Sequence, residues 1–457
     1  MSKARPILFC LLIAFSFSAG ATTTNSLVWH KTADHVDADI RGEALWPLLE
    51  DIAHKTGWHI FVEPGTERNA SAKFQDLPSG EALKMLLGDL NFALVPQTNA
   101  PAHLYVFRTT MQNATRQVTI AKASRRVANE LLIRVKPGTD VDALAKMIGA
   151  KVIGRMEKLD VFLLQFGDAA ATDAALAQLQ NNSDVLAVDY NYYLDPPPVA
   201  QPVSSSILPS GVGPVSLTLN PPTPGDSCSP IVGLIDTGIQ SQSLGNLGPS
   251  VLPSISVAGD SGSGVVALPT HGTAMLQTIL RAVSQVSGGS SSVRILPVDV
   301  YGTGETTTSW NVALGVQAAV NNGATILNLS LGGSSDSSVL ESVIQQAISG
   351  GVVIFAAAGN TPVSTPTFPA AISGVNDVTA LGSPGQLASY ANFSPQVDMA
   401  LPGASVIFLG SQAYVVQGTS PATAYATGVA AGTKNVNCMT WTQILSAMQT
   451  KFPVPTK

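Results

Sequence analysis

Two hydrophobic patterns alternate through the second half of the chain. "IVGLID" (231–236), "VRILPVDV" (293–300), "ATILNLSL" (324–331) and "VVIFAAAG" (352–359) are apolar at nearly every position. Such runs read as strands buried on both faces. Between them, "TAMLQTILRAVSQV" (273–286), "SWNVALGVQAAVNNG" (309–323) and "SVLESVIQQAIS" (338–349) carry helical spacing. Buried strands separated by helices predict an α/β fold, a parallel sheet covered on both faces. Functional side chains in such folds stand at the carboxyl ends of strands.

The first half is patterned differently. From 128 to 194 the order is strand "NELLIRVKPG", helix "DVDALAKMIGA", strand "KVIGRMEKL", strand "DVFLLQFG", helix "ATDAALAQLQNN" and strand "VLAVDYNYYL". That is a βαββαβ, ferredoxin-like order, which carries no function of its own. Farther forward, residues 26–110 read as a small α+β domain. Its helices are "GEALWPLLEDIAHKTG" (42–57), with Leu45, Leu48, Leu49 and Ile52 on one face, and "SGEALKMLLGDLN" (79–91). Strands follow at "WHIFVEP", "FALVPQT" and "HLYVFRT". Residues 195–227, rich in Pro and Ser, read as an extended, exposed linker, the kind of segment where proteolytic cuts concentrate. The parallel-sheet domain then occupies 228–457.

Composition sharpens this division. Of 457 residues, 45% are apolar and 12% charged, so the chain can bury large cores. Residues 1–200 hold 19 Lys/Arg and 21 Asp/Glu; residues 201–457 hold only 5 and 9. A net charge of −6 without a basic cluster excludes nucleic acid as a partner, because phosphate binding needs grouped Lys and Arg. Residues 1–21, "MSKARPILFCLLIAFSFSAGA", have a basic start, an apolar run and a small-residue end. They read as a secretory signal peptide, so the protein is expected to be exported, secreted or periplasmic. Cys10 leaves with that segment. Cys228 and Cys438 remain, and they are either one disulfide or two buried thiols.

Against so little charge, three polar residues stand out. Asp236 ends the strand "IVGLID". His271, the only histidine after His103, opens "HGTAMLQTIL". Ser420 lies in "QGTSPATAYATGVAAG", at a turn before a run of small residues. Asp, His and Ser together suit nucleophilic acyl transfer. The serine attacks, the imidazole carries its proton, and the carboxylate orients the imidazole. A second Asp-Ser-Gly at Asp260 raises the alternative of an aspartic peptidase. Those enzymes are all-β with two distant lobes, whereas Asp236 and Asp260 are 24 residues apart in an α/β pattern, so Asp260 reads as a loop residue.

The words "LIDTG", "HGTAM" and "GTSPA", in that order, resemble the signatures of subtilisin-like serine peptidases. "ILNLSLGG" (326–333) resembles the family's cleft-lining strand, which implies substrate binding at Ser330, Leu331 and Gly332. "FAAAGN" (355–360) resembles the strand that delivers an oxyanion-hole asparagine, here Asn360. "VDVYGTGETTTS" resembles the second cleft strand, with Gly302 and Gly304 leaving backbone free to pair with substrate. The resemblance covers about 228–450 and implies a secreted serine endopeptidase acting on proteins or peptides. It also implies that 128–194 is an inhibitory propeptide whose tail lies in the cleft, making a self-inhibited zymogen.

Some positions depart from the family pattern. Pro421 stands where methionine is usual, Thr423-Ala424-Tyr425 replaces Ser-Pro-His, and Ala274-Met275 replaces His-Val. All lie outside the triad, and Pro is acceptable in a first helical turn. They leave open an inactive, peptide-binding scaffold of the cell envelope. Cofactors are expected to be unnecessary; relatives often bind structural calcium, but no calcium loop is visible. Residues 26–110 resemble the short N-terminal domain of secretins and TonB-dependent receptors, which implies docking to an envelope partner. Cleavage in 195–227 is expected to free residues from about 228 on.

Overall fold

The computed structural model describes residues 25–30, 34–97, 100–118, 125–195, 197–204, 208, 212–221, 226–259, 268–383 and 385–455. The signal-like segment and Asp260 lie outside the described residues. The chain divides into two compact units, up to Arg116 and from Gln117 on.

In the first unit, helices Leu45–Thr56 and Ser79–Leu87 follow the predicted apolar spacing. Leu48, Leu49, Ile52, Leu83, Leu86 and Leu87 are fully buried. Strands His59–Val62 and Ala100–Phe107 pair in parallel, and Asn91–Gln97 adds antiparallel. A second sheet of Ser26–His30, His35–Ala44 and Asn69–Pro78 was absent from the sequence reading. Its signal was the alternation of Val36, Ala38 and Ile40 inward between charged residues, a weak period because one inward residue is only Ala.

The second unit begins with the βαββαβ domain. Its strands are Arg126–Val135, Lys151–Met156, Val161–Gln165 and Val185–Leu194; its helices are Val141–Met147 and Ala169–Leu179. The fourth strand lies beside the first, then come the third and the second, the ferredoxin-like arrangement. Asp140 and Asp168 cap the two helices by accepting from Ala143 N and Ala171 N.

The other domain is built on one twisted, mostly parallel sheet. Its order runs Ile255–Ser256, Arg294–Asp299, Ile231–Asp236, Ile326–Leu329, Val353–Ala357 and Asn376–Ser383, with Met399–Pro402 also pairing the last. Side chains alternate between two cores. Val232, Leu234, Val353 and Phe355 pack against helices His271–Ser287 and Thr419–Asn437. Ile235, Leu327, Ile354 and Ala356 pack against helices Ser309–Asn321 and Ser338–Ser349. This is why those strands are apolar throughout: neither face meets water.

Residues 199–220 correct the linker expectation. Gln201–Val203 forms a strand antiparallel to Gln412–Gln417, and Thr218–Leu219 pairs in parallel with Ser290–Ser291. Ala200, Val215 and Leu217 are buried in the same core as the serine helix. Arg281 donates to Gly213 O, Ser284 Oγ to Ser216 O and Asn246 Nδ2 to Val215 O. Pro and Ser composition reports only that a segment avoids regular structure. It does not report whether a neighbouring surface covers it.

Cys228 and Cys438 form a disulfide, with Cα atoms 5.0 Å apart across 210 residues of sequence. The two-thiol alternative is thereby excluded. The bond ties the start of the parallel-sheet domain to the end of the serine helix, and Asn435 Nδ2 reinforces it by donating to Cys228 O.

Candidate active site

Asp236 closes the central strand Ile231–Asp236 and is 1% exposed. Parallel pairing places it level with Asp299 at the carboxyl edge. His271 is the first residue of the helix His271–Ser287, capped by the Thr270 hydroxyl accepting from Thr273 N. The imidazole Nδ1 lies 2.8 and 3.0 Å from the two Asp236 carboxylate oxygens. A carboxylate only accepts, so Nδ1 carries the hydrogen and Nε2 the lone pair of the neutral ring. Nε2 is buried and has no hydrogen-bond partner.

The short words around these residues have physical reasons. Thr237 Oγ1 accepts from Gly272 N at 2.8 Å, so the Asp-Thr-Gly turn is tied to the His-Gly-Thr turn. A Cβ on Gly272 would overlap the Thr237 carbonyl oxygen, so only glycine allows the two turns to approach this closely. The histidine and serine helices meet through small residues. A Cβ on Gly428 would collide with Ile279 O, and Ala422, Ala424, Ala426, Ala430 and Ala431 are all fully buried.

Ser420 is the second residue of Thr419–Asn437 and is 3% exposed. Its Oγ donates to Ser330 O at 3.2 Å, and Ser330 Oγ donates to Ser420 O at 2.9 Å. Asn328 and Thr427 extend this network between the strand and the helix. Asn360 Oδ1 accepts from Thr419 N at 2.8 Å, which leaves its Nδ2 as the free donor of the amide. A cavity of about 120 Å³ is lined by Ser330, Leu331, Gly332, Asn360 and Ser420 together, with Ala357, Gly359, Thr361 and Thr367 among its other walls. The structure thus brings five of the predicted residues to one cleft.

Gly302 and Gly304 are placed differently. They form the turn after Arg294–Asp299, with Gly302 at φ +59° against Ala258 O and Gly304 N donating to Tyr301 O. The backbone that pairs in the cleft is Thr307–Thr308. This pair lies inside the stretch 298–309 expected to line the cleft, but the pairing falls where the turn ends rather than at its glycines.

The departures after the triad words are absorbed by packing. Ala274 and Met275 are fully buried core residues. Tyr425 donates to Gln285 Oε1 on the neighbouring helix. Pro421 sits in the first turn, where its missing N–H has no intrahelical acceptor to lose. Among the described residues, no group of three or more His, Cys, Asp or Glu could hold a metal ion.

The tail of the βαββαβ domain lies in this cleft. Tyr193 and Leu194 pair antiparallel with Thr308 and Thr307, and Asp195 N donates to Gly332 O at 3.0 Å. Behind it, Asp189 Oδ2 accepts from Val339 N and Ser338 Oγ, and Asn191 Oδ1 accepts from Trp310 N. Each acceptor meets the start of one of the two front helices, Ser338–Ser349 and Ser309–Asn321, where backbone donors are otherwise unpaired.

Comparison with known proteins agrees with this geometry. Residues 228–452 match the family model described as the subtilase family, and 112–191 match the fervidolysin N-terminal prodomain. Subtilisin BL of Lederbergia lenta is 32% identical over 212 residues, 45% of this chain and 76% of that protein. The chain belongs to the subtilase family. By that membership it is a serine endopeptidase. A thermostable alkaline protease of Halalkalibacterium halodurans is 28% identical over 326 residues, covering 68% of this subtilase and 83% of the relative. Among solved structures, fervidolysin from Fervidobacterium pennivorans shares the fold with a TM-score of 0.54 at 20% identity. That likeness covers 72% of this chain and 58% of fervidolysin.

Proposed function

We propose that this subtilase is exported as a self-inhibited precursor and hydrolyses peptide bonds with Asp236, His271 and Ser420. The observation that carries the reading is the buried Asp236–His271 pair, with Nδ1 held by both carboxylate oxygens and Nε2 left without a partner. A buried, unpaired acceptor costs stability and is retained where chemistry needs it.

The steps follow from the atoms present. Nε2 takes the Ser420 proton as Oγ bonds the substrate's carbonyl carbon. The carbonyl electrons move onto oxygen, which receives hydrogen bonds from Ser420 N and Asn360 Nδ2. The C–N bond then breaks, and the amine leaves with the proton from Nε2. Water repeats the attack on the ester, releasing the acid and restoring Ser420. Before any of this, the Ser420 hydroxyl has to leave Ser330 O and turn to the imidazole.

Residues 128–194 serve as the inhibitor. Their tail occupies the cleft as a product-like strand, a recurrent mode of peptide binding along a sheet edge. Residues 26–110 dock the precursor to an envelope partner, a reading supported by their resemblance to short receptor domains. Recovery of the same envelope proteins with chains lacking 26–110 would remove it. Export rests on the leading segment. No helix among the described residues is long and apolar enough to cross a membrane.

Trypsin offers the test, because 19 of the 24 Lys and Arg precede residue 201. After brief tryptic treatment, a small sulfonyl fluoride should add its mass to Ser420, and casein should be degraded. Both should vanish in Ser420→Ala. Opened protein that binds peptides but neither labels nor hydrolyses would instead be the inactive scaffold.

A further inference from the structure

After the strand ends at Leu194 the sequence runs Asp195-Pro196-Pro197-Pro198, and Asp195, Pro197 and Pro198 line the cavity that holds Ser420. Tyr193 O and Leu194 Cα lie 3.5 Å from where a Gly333 side chain would begin, and Asp195 N donates to Gly332 O. As the tail advances, its partners count down, so it runs antiparallel to residues 330–333. In an antiparallel ladder the next hydrogen-bonded pair lies two residues on, which sets residue 197 opposite Ser330. Residue 197 is a proline and has no N–H to give. Ser330 O accepts from the Ser420 hydroxyl instead. Asp195, Pro197 and Pro198 line the same cavity as Ser330, Asn360 and Ser420.

We propose that the bond this precursor presents to Ser420 is the prolyl–prolyl bond between residues 197 and 198, and that these prolines keep its own serine from cutting the strand. The inference rests on the catalytic reading above.

Three physical effects act together. Pro197 cannot make the ladder bond that would seat its carbonyl for attack. Ser330 O is left to hold the nucleophile's hydroxyl, turned away from Nε2. The leaving nitrogen would be the Pro198 ring nitrogen, whose ring carbon stands where an ordinary N–H would be and crowds the approach of the imidazole. The far side is also anchored. Ala200 is buried, and Gln201–Val203 is paired with Gln412–Gln417. A freed amine at 198 would therefore stay beside the acyl-enzyme. It would attack the ester carbon, re-form the amide, and return the oxygen and proton to Ser420. Release of the inhibitor thus depends on a cut made elsewhere by another peptidase.

The experiment compares the full chain with its Pro197→Ala/Pro198→Ala variant, each also carrying Ser420→Ala as a control. Intact mass is followed over time, and fragment ends are sequenced. The double variant should be cut between 195 and 199 about tenfold faster than wild type or more. The Ser420→Ala version of the variant should not be cut there. Equal unfolding temperatures of the two Ser420→Ala chains establish that the strand remains seated. Wild type cut at this position within about twofold of the variant's rate would overturn the proposal. So would a variant that stays whole there although Ser420 takes the sulfonyl label after tryptic opening. If neither chain labels after opening, the catalytic reading itself fails and the proposal falls with it.

Discussion

The Ser420 hydroxyl donates to the backbone carbonyl of Ser330, and the Ser330 hydroxyl donates back to the carbonyl of Ser420. Ninety residues separate them in sequence, yet they hold each other through two reciprocal bonds. The pair sets the start of the serine helix against the cleft strand. On the proposed reading it also holds the nucleophile on an acceptor that a substrate's N–H would otherwise occupy.

Asn360 is oriented by Thr419, which takes its Oδ1 and leaves Nδ2 to donate. Asn360→Ala should lower kcat about 10²–10³-fold with little change in KM, since the bond forms only as charge develops. Steady-state kinetics on a peptide anilide with tryptically opened protein will read this. An unchanged kcat would remove Asn360 from the oxyanion site.

Asp189 caps a helix of the peptidase from the propeptide side. Losing such an acceptor costs about 0.5–2 kcal/mol, so Asp189→Ala should loosen the inhibited state. Sulfonyl labelling of Ser420 in the untreated full chain should quicken by about twofold to thirtyfold. No change in labelling rate would mean that the contact contributes nothing to inhibition.

Leu217 distinguishes a folded strap from a linker. It is 4% exposed and belongs to the core beneath the serine helix. Leu217→Ala in the Ser420→Ala background should cost about 2–5 kcal/mol in urea unfolding, against under about 0.5 for an exposed linker residue.

Asp377 offers a pH test. Burial first, and the Asp398 carboxylate second, push its carboxyl up to about 8. The folded state then holds a proton that the unfolded chain releases near its ordinary value. Its contribution is complete below about pH 4 and is lost as pH rises toward about 8, by at most about 1.4 kcal/mol per pH unit. Asp377→Asn keeps the shape without the proton and should flatten that slope. Parallel slopes in urea unfolding between pH 5 and 8 would count against the assignment.

Much of the site could be read from short words because local geometry demands them. Asp-Thr-Gly and His-Gly-Thr need glycine or threonine where Gly272 meets Thr237. The doubly apolar strands announce a sheet covered on both sides. Burial of Ala200, Val215 and Leu217 could not be read, because these apolar residues are too sparse for a period and the helix that holds Gly213 and Ser216 comes some seventy residues later. The cleft pairing falls at Thr307–Thr308 within the expected stretch 298–309, not at Gly302 and Gly304, since composition marks turns better than it marks free sheet edges.

By itself, then, the sequence determined the alternating strands and helices of 231–359, the βαββαβ domain, and the aspartate, histidine and serine proposed for the chemistry. Those follow from periodicity and from residues whose chemistry or backbone freedom is needed at one position. Only the tertiary structure decided that Cys228 meets Cys438, that the strap after the cleft belongs to the peptidase core, and that Asp195 comes to rest against Gly332. These depend on which surfaces cover one another after about 70 to 210 residues of intervening chain, and no local pattern encodes that distance.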